Sequence, residues 1–318
     1  MKRLVFTLLS AIMVISGAAG AKEGGDQYPN GAENWFAGAA PPPGFYYLNY
    51  FGYYTGQLKS GSGQNVLLNG ATPQVNATFD ALRFIYLTHW KLLGADYGMH
   101  VIVPVVYQSM NLNGRAGNTN VGDVDVDPFV LAWHRATWHV ITGLDTYLPS
   151  GPYLKSDPRV SIGANYYTFE PVVALSYLPK SGWEASAKLM YDFHTTNGAT
   201  DYHSGQEFHM DYLAGKHLGA WMVGGSGYFL EQVTDDTSDG LVVPAVPGFW
   251  TTGRRGQVFA LGPSAGYTNK HHMTFITQWQ HEMAVRNRFG GDKFWFKMII
   301  PVFSGAGHEE RAAATPPN

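Results

Sequence analysis

Hydrophobic and polar residues alternate with a period of two along most of the chain. From residue 183 to residue 194, apolar or aromatic side chains occupy the odd positions, and polar side chains such as Glu184 and Lys188 stand between them. Successive side chains of a β-strand point to opposite faces, so this pattern predicts strands with one apolar and one charged face. Residues 206–217 and 273–283 repeat the pattern. A soluble β-sandwich alternates in the same way, and the pattern alone leaves both kinds of protein open.

The same alternation predicts twelve strands in all. Each is about as long as a tilted strand must be to cross the hydrocarbon core of a membrane. The predicted strands cover residues 44–56, 79–92, 96–108, 121–134, 137–148, 162–178, 182–195, 205–217, 219–231, 254–266, 270–285 and 292–303. The chain is therefore predicted to be all-β, with an even number of strands.

Connections between these strands alternate in length. The short ones fall at residues 93–95, 135–136, 179–181, 218 and 267–269. The long ones, rich in Gly, Asn, Asp, Ser and Pro, fall at residues 57–78, 111–120, 149–161, 196–204 and 232–253, and the last connection, 286–291, is shorter. This alternation is typical of outer-membrane barrels, and a closed barrel pairs every backbone group, as hydrocarbon requires. We therefore predict a transmembrane antiparallel β-barrel in the outer membrane of a Gram-negative bacterium, surrounded by lipid and lipopolysaccharide.

Tryptophan residues gather beside the short turns. Trp90, Trp133, Trp138, Trp183 and Trp221 all lie within a few residues of one. Amphipathic rings favour the interface between membrane and water, so these residues are expected to form the periplasmic aromatic girdle of the barrel.

Composition narrows the class of protein further. Charged residues make up 14% of the chain, against roughly 25% in an average soluble domain. The mean hydropathy is −0.15, so the chain is not hydrophobic overall. Only the extreme N-terminus approaches the apolar run of about 20 residues that a membrane-spanning helix needs. The balance of 21 basic and 24 acidic residues predicts no nucleic-acid partner, and the absence of cysteine excludes disulfides and Cys-ligated metals.

The N-terminus has the pattern of an export signal. Lys2 and Arg3 precede an apolar stretch at residues 4–15, and Ala19-Gly20-Ala21 supplies a small-x-small cleavage site. We expect residues 1–21 to be a signal peptide that is removed after Ala21.

The remainder divides into three parts. Residues 22–43 form a Gly-, Ala- and Pro-rich segment that either hangs in the periplasm or folds back into the lumen as a plug, with Tyr28, Trp35 and Phe36 as apolar anchors. We expect residues 44–303 to form the barrel and residues 304–318 to form a flexible tail.

Three motifs resemble one known family. They are the run from Pro41 to Tyr47, the run from Gly122 to Pro128 leading into Trp133-His134, and Phe294-Trp295-Phe296-Lys297. Together they resemble the outer-membrane family labelled "putative meta-pathway of phenol degradation" over roughly residues 28 to 303. The resemblance implies a barrel that takes up aromatic or other hydrophobic small molecules, and it supplies no catalytic residue. A tail follows Phe303, whereas barrels commonly present a terminal aromatic residue to the barrel-assembly machinery.

The alternation also predicts which polar side chains face the barrel interior. Charges are tolerated there because the lipid face holds them only at high cost. The predicted pore-lining residues are Arg83, His100, Asp123, Asp125, Asp127, His139, Asp145, Glu170, Glu184, Lys188, Asp192, Glu207, His209, Asp211, Gln278, Gln280 and Glu282. This set is richer in carboxylates than in bases, which disfavours a porin for acidic sugars. A polar conduit and a packed interior of ion pairs both fit it.

Two metal-binding patterns were weighed, and neither leads us to assign a metal or another cofactor. Asp123, Asp125 and Asp127 share one face of a strand and could bind calcium, but the twelve-residue loop of an EF-hand is absent. Histidines around one loop, His194 and His209 among them, could approach one another in space, and no motif fixes their geometry.

An enzymatic function has little support. Lipid hydrolysis requires a serine within hydrogen-bond reach of a histidine that a third group orients. His203-Ser204 beside Asp201 is the nearest local arrangement. We predict that the protein is not an enzyme, and we assign it the role of a passive channel for small-molecule solutes. A purely structural or general-diffusion barrel is the alternative.

Overall fold

The computed structural model describes residues 26–112 and 114–304, and these form an all-β structure. The strands are β1 (Gly44–Leu58), β2 (Gln74–Leu92), β3 (Ala95–Asn111), β4 (Arg115–Val121), β5 (Val124–His134), β6 (Trp138–Leu148), β7 (Thr168–Tyr177), β8 (Trp183–His194), β9 (Tyr202–His203), β10 (Glu207–Leu218), β11 (Trp221–Gln232), β12 (Thr237–Ser238), β13 (Leu241–Val242), β14 (Gln257–Thr268), β15 (Thr274–Arg286) and β16 (Phe289–Ser304). Short 3₁₀ helices cover Pro158–Val160 and Thr252–Arg254. Within the described ranges, no helix has the length and apolar character needed to cross a membrane.

Twelve of these strands close into an antiparallel barrel. The order around it is β1, β2, β3, β5, β6, β7, β8, β10, β11, β14, β15 and β16. β16 then pairs with β1 along its full length, with Gly44 opposite Ser304 and Leu58 opposite Phe289. Closure gives every barrel strand two neighbours and removes the sheet edges. The predicted twelve-stranded antiparallel barrel is confirmed.

The two faces of the barrel wall have opposite character. Along β8, every even-numbered residue from Glu184 to His194 is buried, and the odd-numbered residues are half-buried or exposed. Large apolar side chains stand exposed on the outside, among them Phe129, Phe193 and Phe294. An apolar outer face around a charged interior is the reverse of a soluble protein and suits a barrel surrounded by lipid.

The ends of the barrel also differ. At one end, strands are joined by short turns, such as Leu93-Gly94, where both residues adopt positive φ (53° and 76°) as a two-residue hairpin turn requires. Trp90, Trp138 and Trp183 project outwards near this end and are more than half exposed. We call this the turn end, and the opposite one, which carries the long connections, the loop end.

The long connections contain structure that the sequence pattern did not predict. β4 pairs with the C-terminal part of β3, from Val105 to Asn111, and β9, β12 and β13 form a separate three-stranded sheet. β5 accounts for most of the strand predicted at residues 121–134, whereas β4 lies almost wholly within the connection predicted at residues 111–120.

Several predicted boundaries were wrong. β7 begins at Thr168 and not at residue 162, because Asn165 adopts a positive φ of 64° that interrupts an extended chain. His271 and His272 lie in the turn before β15 and not within a strand. The last connection contains only two residues, 287 and 288.

The remaining domain predictions fall largely outside the described residues. The predicted signal peptide, residues 1–21, is outside them. The tail is described only at Ser304, which ends β16.

Candidate functional site

Residues 26–43, here called the inner segment, cross the barrel interior from the loop end to the turn end. Near the loop end, Gln27 Nε2 donates a hydrogen bond of 2.7 Å to Asp123 Oδ2. Further along, Trp35 Nε1 donates to Ser264 Oγ at 2.7 Å. Near the turn end, the Gly38 amide donates to Ser176 Oγ at 2.9 Å. The inner segment forms no strand, so barrel side chains satisfy its backbone groups.

Asp211 on β10 is one of the main attachment points. Its carboxylate is fully buried and accepts hydrogen bonds from the Tyr28 hydroxyl (2.6 Å), the Gly31 amide (2.7 Å) and the Glu33 amide (2.9 Å). Gly31 has a φ of +89°, and a Cβ there would lie 2.1 Å from Oε1 of Gln280. Only glycine therefore fits this position without strain.

Two lysines of β16 bind carbonyl oxygens of the inner segment. Lys293 Nζ donates to the Asn30 carbonyl at 2.7 Å, and Lys297 Nζ donates to the Ala32 carbonyl. The sequence prediction of pore-lining residues missed both lysines. The signal was present, because they alternate with the outward-facing Phe294 and Phe296.

The indole of Trp35 is set into the barrel wall. It packs with Leu213, Met222 and Ile276. At Gly215 on β10, a Cβ would lie 2.3 Å from the indole ring, so the absence of a side chain makes room for it. Trp35 therefore anchors the lower half of the inner segment.

Phe36 marks where the inner segment passes β8. Its backbone amide donates a hydrogen bond of 2.6 Å to Glu184 Oε1, and its ring lies 5.4 Å from that of His217. Tyr28, Trp35 and Phe36, the three predicted anchors, all contact the barrel wall.

Glu33 occupies the middle of the lumen and is held by three groups of the wall. Its carboxylate accepts hydrogen bonds from the Tyr50 hydroxyl (2.9 Å) and Lys188 Nζ (2.8 Å), and it pairs with Arg83. Lys188 also lies 3.5 Å from Asp145. We call Glu33, Arg83, Tyr50 and Lys188 the central cluster. Sequence reasoning missed Glu33, because nothing local indicates these distant partners.

The inner segment leaves two cavities on the side of the lumen formed by the first strands. The upper cavity, towards the loop end, has a volume of about 290 Å³, and the lower cavity has a volume of about 140 Å³. Ala32, Glu33 and Tyr50 line both, so the central cluster lies between them. The wall of the upper cavity is mainly apolar and includes Val75, Phe79, Ala81, Ile102, Met110 and Ile162.

Most of the predicted pore-lining residues are buried inside the barrel, where they fall into local groups. In the first group, Nε2 of His100 lies 3.2 Å from Oδ2 of Asp125 and 3.3 Å from Oδ1 of Asp145. Nδ1 of the same ring lies 3.1 Å from Nη2 of Arg83. This group adjoins Lys188 through Asp145.

A second group of predicted pore-lining residues lies on β15. Gln278 Nε2 donates to Asn34 Oδ1 at 2.8 Å, and Gln280 Nε2 donates to the Gly31 carbonyl at 3.4 Å. Glu282 accepts from the Tyr54 hydroxyl at 2.9 Å.

The acidic triple Asp123, Asp125 and Asp127, predicted on one face of a strand, does not converge on one point. Asp123 accepts amide hydrogen bonds from the loop residues Gly151 (2.9 Å) and Ala164 (2.8 Å). Asp127 accepts amide hydrogen bonds from Phe129 (2.7 Å) and Leu144 (3.0 Å), while Asp125 faces His100.

The remaining predicted residues lie elsewhere on the wall. His139 lies at the turn end, where its Nδ1 is 2.8 Å from that of His134. Glu170, Asp192, Glu207 and His209 are buried together behind the inner segment.

Ser204 and His203 of the local Ser-His pair each contact a further side chain. The Ser204 hydroxyl lies 3.2 Å from the Tyr166 hydroxyl. Nδ1 of His203 lies 3.5 Å from Oγ1 of Thr196.

Solved structures with a similar fold are outer-membrane proteins. The COG4313 outer membrane channel from Pseudomonas putida F1 is 12% identical, with 84% of this chain and 98% of that chain covered and a TM-score of 0.69. The translocator domain of the autotransporter NalP from Neisseria meningitidis is 7% identical, with coverages of 92% and 97% and a TM-score of 0.47. The latter score is too low to carry an argument. At these identities the first likeness supports the fold alone.

A family model matches the chain more specifically. The model described as "Putative MetA-pathway of phenol degradation" matches residues 55–298, which is well over half of the chain. No curated protein sequence matches the chain. The closed barrel, its apolar outer face and this match together place the protein in the outer membrane. The chain belongs to the family described as "Putative MetA-pathway of phenol degradation".

Proposed function

We propose that this protein is an outer-membrane channel for the passive uptake of small hydrophobic compounds, aromatic ones in particular. The observation that carries the proposal is the upper cavity, an apolar chamber within an otherwise charged barrel interior. Binding sites for small organic molecules combine apolar walls with a few placed polar groups. In the upper cavity, Glu33, Tyr50 and Arg288 supply such groups.

The chemistry of this chamber favours hydrophobic cargo over sugars or ions. An apolar solute gains free energy when it leaves water for an apolar wall, by about 25 cal/mol for each Å² buried. A sugar or an ion would lose hydration against the apolar part of this wall without recovering its hydrogen bonds there. The family description refers to phenol degradation, and the similar structure from Pseudomonas putida F1 is named a channel, which agrees with the proposal.

In this proposal, the inner segment is the constriction of the channel. It separates the two cavities at the central cluster, so a solute passes only when the Glu33 region shifts or when the solute moves along the face of Tyr50. The predicted pore-lining residues of the wall set the charge of this passage. We assign no residue a catalytic role.

The experiment is planar-bilayer conductance of the wild type and of a variant that lacks residues 22–40. We expect the deletion to raise the conductance, because it removes the segment that crosses the lumen. An aromatic solute such as phenol should reduce the current of the wild type more than glucose does at the same concentration.

Two outcomes would contradict the proposal. Open channels of equal conductance in both proteins would mean that the inner segment does not restrict the lumen. A sealed barrel in both cases would instead support the structural alternative.

A further inference from the structure

A group of buried acids and histidines lies behind the inner segment, apart from the two cavities. It consists of Glu170 on β7, Asp192 and His194 on β8, and Glu207 and His209 on β10, here called the acid–histidine cluster. Glu170 and His209 are fully buried, and the others are at most 8% exposed. Candidate ligand atoms of Glu170, Asp192 and His209 all lie within 4.8 Å of one another, and so do those of Asp192, His194 and Glu207.

Histidine is the only basic side chain in the described part of the chain that lies against the carboxylates of this cluster. Among the described residues, no lysine or arginine nitrogen lies within 4.0 Å of a carboxylate oxygen of Glu170, Asp192 or Glu207. Neither oxygen of Glu170 receives a hydrogen bond within the described residues, and neither do Asp192 Oδ1 and Glu207 Oε2. Buried carboxylates without a partner are costly, so the arrangement calls for a cation.

Hydrogen bonds determine which nitrogen of His209 carries the proton. Nδ1 lies 3.0 Å from Asn30 Oδ1, which can only accept, so Nδ1 donates. The orientation of the Asn30 amide is fixed in turn, because its Nδ2 donates to Asp26 at 2.7 Å. In the neutral ring, Nε2 is therefore left with a lone pair directed at Glu170 and Asp192.

His194 is oriented in the same way. Its Nδ1 lies 2.8 Å from Thr168 Oγ1. The single hydroxyl proton of Thr168 goes to Gln27 Oε1, and Gln27 is oriented by its bond to Asp123, so Thr168 accepts from His194. Histidine ligands of metals characteristically donate their second N–H to an oxygen in this manner.

The distances match metal coordination. Nε2 of His209 lies 3.3 Å from Glu170 Oε2 and 3.3 Å from Asp192 Oδ2. Zinc bonds of about 2.0–2.1 Å in tetrahedral geometry place neighbouring ligand atoms about 3.3–3.4 Å apart. Neither contact meets the geometry of a hydrogen bond, as expected for groups that face a shared ion and not each other.

We propose that the acid–histidine cluster is a binding site for a divalent transition metal such as Zn²⁺. Glu170, Asp192 and His209 are its ligands, and His194 and Glu207 lie on the other side of Asp192. Carboxylate and imidazole donors together suit zinc and the neighbouring first-row metals.

The comparable group around His100 differs in its charge, because basic side chains lie against it. There, Arg83 lies 3.1 Å from the histidine ring, and Lys188 lies 3.5 Å from Asp145. These side chains supply the positive charge that the acid–histidine cluster lacks.

The metal would join three strands and the inner segment. β7, β8 and β10 supply ligands directly. From the inner segment, Asn30 contacts the ring of His209, and Gln27 contacts Thr168, which in turn contacts the ring of His194. Metal binding is therefore expected to hold the upper part of the inner segment against the wall.

The test uses tag-free protein in detergent that has been stripped with EDTA. Because the cluster is buried, Zn²⁺ is offered by two routes: to the folded protein, and during refolding. Metal is counted by mass spectrometry after desalting. The variants are D192N and H209Q. The control is H281Q, because His281 lies on the outer face beside Asp292, at 2.9 Å, and forms no part of the cluster.

We expect about one equivalent of zinc in the wild type and in H281Q, and at least a fivefold loss in D192N and H209Q. The heat-dependent gel shift of folded barrels verifies that each variant has folded. Co²⁺ in the wild type should give the intense visible absorption of a tetrahedral site.

Folded wild-type protein that takes up no stoichiometric zinc by either route would overturn the proposal. So would equal binding by the wild type and D192N, or loss of binding in H281Q. If D192N does not fold, the zinc content and the Co²⁺ spectrum of the wild type decide alone.

Discussion

The central cluster is most sharply tested by replacing Glu33 with alanine. In the wild type, the Glu33 carboxylate accepts hydrogen bonds from Tyr50 and Lys188 and pairs with Arg83. The substitution leaves Arg83 and Lys188 facing each other across the space that the carboxylate occupied. Lys188 keeps an acidic neighbour, Asp145 at 3.5 Å, whereas Arg83 loses the one carboxylate that lies within 4.0 Å of it among the described residues.

The magnitude follows from the burial of these groups. Removing one partner of a buried ion pair costs about 3–5 kcal/mol. The Glu33 side chain is 18% exposed, so the lower value applies. A cost of about 3 kcal/mol changes the ratio of docked to released inner segment by about a hundredfold, because 1.36 kcal/mol corresponds to a factor of ten.

Single-channel recording measures this ratio as the fraction of time spent in a high-conductance state. Glu33→Ala should raise that fraction about a hundredfold, or until it saturates. Glu231→Ala removes an exposed glutamate of β11 and is the matched control. Adding Arg83→Met to Glu33→Ala should reverse part of the effect. If Glu33→Ala stays within twofold of Glu231→Ala, the inner segment does not depend on the central cluster, and the reasoning is refuted.

Three further predictions concern the wall and the inner segment. Leu189→Arg should lower the free energy of unfolding by about 2–4 kcal/mol in urea titrations, since position 189 faces lipid, and an unchanged free energy of unfolding would contradict this facing. Gly31→Ala should cost about 1–3 kcal/mol through backbone strain, and an unchanged melting temperature would contradict the strain. Burial raises the pKa of Asp26, but the charge and hydrogen bond of Arg288 outweigh it and hold the pKa below its ordinary value. A carboxyl whose pKa is lowered on folding stabilises the folded state at pH values above its ordinary pKa, and this stabilisation is lost as the pH falls through the lowered pKa. The stability difference between the wild type and Asp26→Asn should therefore be present at pH 7 and shrink as the solution is acidified, and a difference that does not depend on pH would contradict the pairing with Arg288.

The barrel strands were predictable because each one obeys the same local rule. A wall residue faces either lipid or the interior, so apolar and polar positions must alternate, and the twelve strands could be recognised from sequence without knowledge of their partners. The rule failed at residues 162–167. Ile162, Ala164 and Tyr166 alternate like a strand, but Asn165 adopts a positive φ and the segment folds as a buried loop.

The contacts of the inner segment could not be predicted in the same way. Glu33 meets Arg83 and Lys188, which are 50 and 155 residues away, and no local pattern encodes such pairings. The alternation did place Asp211 on the interior face, but it gave no sign that Tyr28 and the backbone of Gly31 would bind there. Burial and distance in the folded chain, and not residue type, distinguish the central cluster from the rest of the inward face.

The uptake of an aromatic solute at low concentration tests the central claim most directly. A strain that lacks the protein is complemented with the wild type, with Ala81→Trp, which fills part of the upper cavity, or with Ala185→Trp, which adds the same side chain on the exposed outer face of β8. The initial uptake rate of labelled phenol should be restored by the wild type and by Ala185→Trp, and should remain near the deletion level with Ala81→Trp, while glucose uptake is the same in every strain. Equal phenol uptake by the deletion strain and the complemented strain, or full restoration by Ala81→Trp, would contradict a channel that carries aromatic compounds through the upper cavity.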